Sequence, residues 1–354
     1  MTYAQQMPGL LQKGKADTQD CKAWVDEQLS EMSLKEKIGQ LFIHTVTPLQ
    51  TQRNKNNIYA AIKEYKVGGL LFSGGQLSDQ VLLTNYAQSL AEVPLLITFD
   101  GEWGLAMRLK GTPRFPRNRV LGCIQDNELL YEYGKEVARQ CKEIGVQINF
   151  APVADVDVNP RNPVINTRSF GGDPRNVAQK VVAYARGLED GGVLSVCKHF
   201  PGHGCTIGDT HEGYAYTDKT REELQQEELV PFQEACANGV PFVMVAHISA
   251  PNVIGDNTPS SLSPVMITDI LRNEWNYDGI VITDALNMGA IVQNYSSADA
   301  AVKALQAGAD MLLMPENFQE AYQGVLDALE NGTLTQEQID CSVRRILNVK
   351  LSMQ

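Results

Sequence analysis

The sequence has no long hydrophobic run, no excess of basic residues and no closely paired cysteines. No apolar stretch approaches the roughly 18 residues of a membrane-spanning helix, so we predict no membrane span. The 42 acidic residues outnumber the 30 basic ones and give a net charge of −12. Because a phosphate backbone favours a basic stripe, we expect no nucleic-acid partner. The seven cysteines are scattered, which indicates buried free thiols rather than a disulfide framework.

The N-terminus leaves the cellular compartment open. It lacks the charged segment and the apolar segment of a signal peptide, so we predict none in this chain. The small residues Thr2 and Ala4 would also suit the remnant of a cleaved signal peptide. Both a cytoplasmic and a periplasmic localisation are therefore compatible with the sequence.

Eight short apolar runs recur along the chain, separated by amphipathic segments of helix length. Such runs are typical of strands buried on both faces of a parallel sheet. Their alternation with helices predicts an α/β fold of the (β/α)8 TIM-barrel type, with a doubly wound sheet as the alternative. The predicted strands are 41–46, 69–73, 94–99, 146–153, 193–196, 242–246, 280–283 and 311–314. The clearest helical segments are 127–144, 175–190, 221–238 and 298–307.

Two capping-box patterns predict helices near the two ends of this region. Ser33 is followed by Glu36, and Thr335 by Gln338, a spacing at which each side chain can bond the other residue's backbone N–H. The first pattern places a helix before the first strand, and the second a closing helix that runs to about Lys350. We predict a single barrel domain over residues 31–354, preceded by an N-terminal helical extension over residues 1–30.

Ionisable side chains follow most of the predicted strands. The carboxyl ends of barrel strands meet at one mouth, where the active sites of such barrels lie. We therefore expect these groups to converge on one site. They are His44, Asp100, Glu102, Asp155, Asp157, Lys198, His199, His247 and Asp284.

The glycine-rich segment 198–211 holds three of the five histidines and admits three interpretations. In the first, Asp209 orients the imidazole of His211 and raises its basicity for proton transfer. In the second, the loop is purely structural and is shaped by its proline and glycines. In the third, it binds zinc, although the ligand spacing does not follow the usual pairs. The candidate zinc ligands are His199, His203, Cys205, Asp209 and His211.

Three further positions each have a functional and a structural interpretation. Asp284 directly follows an apolar strand and would serve as a nucleophilic or electrostatic carboxylate, or as a helix N-cap. Arg168, in a long polar loop, would bind sugar hydroxyls or a carbonyl, or form a surface ion pair. Asp100 and Glu102 would accept hydroxyl hydrogen bonds beside Trp103, whose ring would stack on a sugar or lie in the core.

Four ordered motifs resemble those of the β-N-acetylhexosaminidase branch of glycoside hydrolase family 3. The resemblance covers the chain from about residue 30 to its end. The most specific motif is K-H-F-P-G-H-G followed after four residues by D-[S/T]-H. It is matched by residues 198–204 and by Asp209-Thr210-His211. The motifs F-x-P-V-x-D, R-S-F-G-x-D-P and T-D-x-L-x-M are matched by residues 150–155, 168–174 and 283–288.

The resemblance implies a retaining glycosidase that needs no metal and no organic cofactor. Most retaining enzymes pair two carboxylates about 5–5.5 Å apart. In this branch the nucleophile is an aspartate, here Asp284, and the acid/base is a histidine, here His211, in a dyad with Asp209. The residues that would bind the terminal sugar are Asp100, Arg108, Arg168, Lys198 and His199.

One motif departs from the family pattern. Many members read D-x-E-G-G-R, whereas this chain has Trp103 for the first glycine of that pair and Leu105 for the arginine, with Arg108 nearby. The departure weakens the inference of a muropeptide aglycone more than that of hexosaminidase chemistry. We expect release of terminal β-N-acetylglucosamine from oligosaccharides or peptidoglycan fragments. The alternatives are a β-glucosidase, an N-acetylglucosaminide phosphorylase, and a non-catalytic sugar-binding barrel. We expect a monomer, and fusion to further domains stays open.

Overall fold

The computed structural model describes residues 19–353, and its core is a closed ring of eight parallel strands. Each strand pairs with the next one along the chain, and β8 pairs with β1. A bridge between Ile282 and Met311 links β7 to β8. The strands are β1 (Phe42–Val46), β2 (Gly69–Phe72), β3 (Leu96–Phe99), β4 (Ile148–Asn149), β5 (Leu194–Phe200), β6 (Phe242–Val245), β7 (Ile280–Thr283) and β8 (Leu312–Leu313). The predicted (β/α)8 barrel is confirmed, since a doubly wound sheet would have two open edges.

Helices form the layer outside the ring. Those of seven or more residues are α1 (Gln19–Glu31), α2 (Leu34–Gln40), α3 (Gln52–Lys63), α4 (Leu77–Leu90), α5 (Asn127–Glu143), α6 (Pro174–Asp190), α7 (Leu229–Ala237), the π-helical α8 (Val265–Glu274), α9 (Ser297–Ala307), α10 (Phe318–Glu330) and α11 (Gln336–Ser352). In the part of the chain that the structure describes, no helix is both long and apolar enough to cross a membrane.

The ends of the barrel region follow the predicted capping boxes. The Ser33 and Thr335 hydroxyls accept hydrogen bonds from the backbone N–H groups of Glu36 and Gln338. The side chains of Glu36 and Gln338 in turn accept from the backbone N–H groups of Ser33 and Thr335. The predicted boundary at residue 30 falls inside α1 and is not tested. Residues 1–18, which bear on the signal-peptide prediction, lie outside the described residues.

The predicted helix 221–238 is wrong as one element, because it is two helices, Arg221–Gln226 and α7. Pro231 has no N–H to donate to the carbonyl of residue 227, and its ring would clash with that carbonyl. The chain therefore breaks at Glu227 and restarts. The break buries the Glu228 side chain, which accepts a 2.6 Å hydrogen bond from Lys219 Nζ.

Two details of the strands also differ from the sequence interpretation. β5 continues to Phe200, so Lys198 and His199 lie within a buried strand and not in a loop after it. A bridge between Val153 and Lys198 and the pairing of Phe200 with Val245 keep the chain extended there. His44 lies inside β1, and its ring stands 5.0 Å from that of Phe318 in α10. It therefore faces the helical layer and not the mouth of the barrel.

All seven cysteines are free thiols, but they are not all buried. Cys141 and Cys197 are buried, whereas Cys123 and Cys341 are exposed. The prediction of free thiols is confirmed, and the prediction of burial is wrong for the exposed pair.

Candidate active site

A buried lysine joins two carboxylates at the mouth of the barrel. Lys198, near the end of β5, places Nζ 2.7 Å from Asp100 Oδ1 and 3.0 Å from Glu102 Oε1. Arg108 forms an ion pair with the other oxygen of Asp100. Burial alone would raise the pKa of Asp100, but Lys198 and Arg108 hold it well below its usual value. Asp100 is therefore a carboxylate that can accept hydrogen bonds.

Glu102 links Lys198 to Arg168 by pairing with both. Arg168 forks onto the carboxylate, with Nη2 2.7 Å from Oε1 and Nε 3.0 Å from Oε2. Glu102 is fully buried, so the surface ion-pair interpretation of Arg168 is wrong. Arg168 and Lys198 both engage the carboxylate oxygens of Glu102. Glu102 therefore pairs with two cations of the site.

Asp155, after β4, ends the network on the side of His199. Its Oδ2 lies 2.7 Å from His199 Nδ1, and its Oδ1 accepts a 2.6 Å hydrogen bond from the His203 N–H. The opposite ring nitrogen of His199, Nε2, lies 3.1 Å from Arg168 Nη2. Burial alone would raise the pKa of Asp155, but His199 and the His203 backbone lower it.

All five predicted sugar-binding residues therefore belong to one continuous network. Its cations are Arg108, Lys198 and Arg168, and its carboxylates are Asp100, Glu102 and Asp155. Sequence reasoning placed Glu102 and Asp155 at strand ends and expected them at the same mouth, but missed that they pair with Arg168, Lys198 and His199. The signal was available in part, since both lie in motifs that the resemblance uses.

Asp284 lies directly after β7, at the same end of the ring. Its Oδ1 accepts a 2.8 Å hydrogen bond from the Ala285 N–H. Burial alone would raise its pKa, but the nearby histidines His199 and His247, together with Lys198, lower it. The N-cap interpretation is wrong, because the next helix begins at Gly289 and its N-cap is Met288. Asp284 is thus an ionised carboxylate close to Lys198 and His199 of the network.

His211 and Asp209 form a dyad on the loop after β5. Asp209 Oδ1 lies 2.7 Å from His211 Nδ1 and accepts a 2.9 Å hydrogen bond from the His211 backbone N–H. Burial alone would raise the pKa of Asp209, but these bonds lower it. The His211 side chain is 63% exposed. Its Nε2 makes no hydrogen bond within the described residues, so it is open to a partner from solution.

The zinc interpretation finds no support in the geometry. Across residues 19–353, no three or more histidine, cysteine or acidic side chains are grouped as a metal site. The His203 ring lies between Thr206 Oγ1, at 2.8 Å, and Thr210 Oγ1, at 3.2 Å. Burial lowers the pKa of His203 to about 4 and raises that of the Cys205 thiol to about 12.

The departure at Trp103 changes the wall beside Glu102. The guanidinium of Arg117 lies 4.0 Å from the centre of the Trp103 ring, which is half-buried. A cation–π contact at this distance covers one face of the ring. Leu105 is buried, and Arg108 supplies the cation that pairs with Asp100.

Comparisons with known proteins identify the family of the chain. Residues 33–349 match the model of the glycosyl hydrolase family 3 N-terminal domain. The chain is 34% identical over 325 residues to Beta-hexosaminidase A of Pseudoalteromonas piscicida, covering 82% of this chain and 54% of that protein. The structure of a family 3 beta-N-acetylglucosaminidase from Paenibacillus sp. str. FPU-7 is 37% identical with a TM-score of 0.86, covering 91% of this chain and 63% of that one.

A second similar structure, that of the beta-glucoside phosphorylase BglX, is 26% identical with a TM-score of 0.90. The match covers 98% of this chain and 62% of that one. This chain therefore spans little more than half of the length of these three relatives. On the family match and the shared barrel, the chain belongs to glycoside hydrolase family 3.

Proposed function

We propose that the protein is a retaining, exo-acting β-N-acetylhexosaminidase. It hydrolyses terminal non-reducing β-N-acetylglucosamine from oligosaccharides or peptidoglycan fragments. The observation that carries the proposal is the Asp209–His211 dyad, whose loop is bonded to the loop that follows Asp284. The names of the similar proteins, a beta-hexosaminidase and a beta-N-acetylglucosaminidase, support the same chemistry.

In the first step, an Asp284 carboxylate oxygen attacks the anomeric carbon while the bond to the leaving oxygen breaks. His211, protonated on Nε2, gives that proton to the leaving oxygen. In the second step, neutral His211 removes a proton from water as the water attacks the glycosyl-enzyme and releases Asp284. Two inversions retain the β configuration. Asp209 stabilises the imidazolium and fixes the ring so that Nε2 faces the reaction.

The charge balance of the network suits this transition state. Its three cations and three carboxylates cancel when His199 is neutral. Asp284 then supplies the excess negative charge, which stabilises the positive charge that develops on the sugar ring. Asp100, Arg108, Arg168, Lys198 and His199 form the part of the pocket that holds the hydroxyls and the acetamido group.

A phosphorylase is the second candidate, because the phosphorylase BglX shares this barrel with a TM-score of 0.90. After the first step, an imidazole acid/base is neutral and does not repel phosphate, whereas a carboxylate would. The two candidates differ only in the second step, where either water or phosphate attacks the glycosyl-enzyme.

The test is a panel of 4-nitrophenyl β-glycosides assayed with and without phosphate. We expect turnover of the N-acetylglucosaminide well above that of the glucoside, with free N-acetylglucosamine as the product in both buffers. The first anomer detected by NMR should be β. A sugar 1-phosphate in phosphate buffer would favour the phosphorylase. Preference for the glucoside would favour the glucosidase, and binding without turnover a sugar-binding barrel.

Light scattering of the purified protein tests the expectation of a monomer.

A further inference from the structure

Both ring nitrogens of His199 already have partners inside the protein. Nδ1 lies 2.7 Å from Asp155 Oδ2, and Nε2 lies 3.1 Å from Arg168 Nη2. An arginine side chain only donates hydrogen bonds, so Nε2 must be the unprotonated acceptor. The ring proton then lies on Nδ1 and is donated to Asp155. The two neighbours together are thus compatible with one form of His199, the neutral imidazole protonated on Nδ1.

Both carboxylate oxygens of Asp155 have hydrogen-bond donors beside them. Its carboxylate is fully buried. Oδ1 accepts the His203 N–H at 2.6 Å, and the His199 N–H lies 3.3–3.4 Å from the two oxygens. Backbone N–H groups in this position cannot turn away. Only a carboxylate accepts from the backbone with one oxygen and from the ring with the other.

We propose that Asp155 is a positioning residue that fixes His199 in its Nδ1–H tautomer, so that Nε2 accepts from Arg168 and holds the guanidinium in the sugar site. Glu102 holds Nε and Nη2 of the same guanidinium. In this arrangement the Nε2 lone pair of His199 supports the sugar site through Arg168. The effect on turnover rests on the proposed function, whereas the tautomer does not.

The isosteric variant D155N tests the proposal most directly. If the amide oxygen faces the His203 N–H, the amide NH₂ faces His199 Nδ1. The ring proton must then move to Nε2, where it opposes the N–H of Arg168. If the amide is flipped, its NH₂ group faces the His203 N–H, and two donors oppose each other. Because either arrangement displaces a group in the site, we expect kcat/KM on the aryl N-acetylglucosaminide to fall about 100-fold.

The matched control is D157N. Asp157 lies two residues away and pairs with Arg119 outside the network. Since that pair is partly exposed, we expect D157N to keep kcat/KM within about threefold of the wild-type value. A D155N enzyme as active as D157N would overturn the proposal.

Two replacements of His199 separate its two hydrogen bonds. Gln places an amide near the Nε2 position and can accept from Arg168, whereas Asn places one near Nδ1 and reaches only Asp155. We expect H199Q to keep about tenfold more kcat/KM than H199N. With Gln at position 199, D155N should cause no further loss of kcat/KM, so that the double variant matches H199Q alone. Equal or greater activity of H199N would contradict the proposal. This pair remains informative if D155N does not fold.

A direct measurement of the tautomer does not depend on turnover. Protein labelled with ¹⁵N-histidine shows different shifts for protonated and bare ring nitrogens, and the signals missing in H199Q identify His199. We expect protonated Nδ1 and bare Nε2 in the wild type. Protonated Nε2 in the wild type would refute the inference. If the wild type fails to cleave the aryl glycoside, the proposed function fails while this spectrum still decides the tautomer.

Discussion

The backbone carbonyl of His211 accepts a 3.2 Å hydrogen bond from the N–H of Gly289, in the segment that follows Asp284. The neighbouring N–H of Ala290 donates to the Thr210 carbonyl at 3.1 Å. The loop after β5 and the loop after β7 are therefore held together by backbone hydrogen bonds across the mouth. Under the proposed mechanism, this link positions the acid/base relative to the nucleophile.

The first prediction concerns the closeness of this contact. A Cβ at Gly289 would lie 2.7 Å from the His211 carbonyl oxygen, so G289A should push the two loops apart. We expect kcat to fall about 100-fold, because small displacements of catalytic groups have effects of that size. Binding of N-acetylglucosamine, measured by calorimetry, should change little. The control is G213A on the same loop, where a Cβ would meet only the Gln293 side chain at 3.6 Å. Equal rates for the two variants would remove the loop contact from the mechanism.

The second prediction separates the acid step from the base step. H211A should slow cleavage of poor leaving groups by about 1,000-fold, within the range for general acid–base catalysis. Cleavage of 2,4-dinitrophenyl glycosides needs no proton and should become limited by release of the glycosyl-enzyme. Azide should then accelerate turnover and give a β-glycosyl azide, whereas D284A with azide should give the α product. H44Q is the control, since that ring packs against Phe318. Loss of activity that is the same for every leaving group would argue against an acid/base role for His211.

The third prediction concerns the stability contributed by Glu102. Its removal leaves Arg168 and Lys198 as buried cations without their shared carboxylate. We expect E102Q to lower the free energy of unfolding by about 3 kcal/mol and to abolish most activity. E92Q is the contrast, because Glu92 pairs with Lys63 and Lys66 on the surface, where solvent screens the charges, and its removal should change the stability far less. Chemical denaturation followed by circular dichroism measures both. Similar losses of stability in the two variants would show that burial of the Glu102 ion pairs does not increase their contribution to stability.

The fourth prediction concerns the pH dependence of stability. Burial lowers the pKa of Lys350 in α11 to about 7, and the only side-chain hydrogen bond that Lys350 makes in the described residues is to Gln40 Oε1. An unfolded lysine titrates at about 10.4. Between these two values the unfolded state binds the extra proton, so this lysine makes the free energy of unfolding rise with pH from 7 to 10.

K350M removes that dependence and should stabilise the protein by about 4 kcal/mol at pH 7. The advantage over the wild type should shrink towards pH 10. Denaturant titrations at both pH values measure it, with K303M as the control because Lys303 is exposed. An advantage that does not change with pH would show that Lys350 keeps its proton in the fold.

Much of the fold could be predicted from the sequence because each signal is local. A buried strand of a parallel sheet needs apolar residues on both faces, and each of the eight predicted runs overlaps one strand of the ring. The capping boxes at Ser33 and Thr335 depend on residues three positions apart, and both are formed. Some residues of the candidate site, such as Asp100 and Asp284, were visible for the same reason, since they stand where apolar runs end.

The partners of those residues were decided by the tertiary structure. Arg168 pairs with a carboxylate 66 positions away, and His199 with one 44 positions away. As isolated residues, Asp100, Glu102, Asp155 and Asp157 have the same chemistry, so the sequence could not tell which carboxylate would hold a cation, orient an imidazole or stay open. The barrel brings some of them into a buried mouth, where desolvation requires every charge to find a partner. The sequence by itself determined the strands, the caps and the positions of the polar groups, whereas only folding determined which of those groups are bonded to one another and which are open to a substrate.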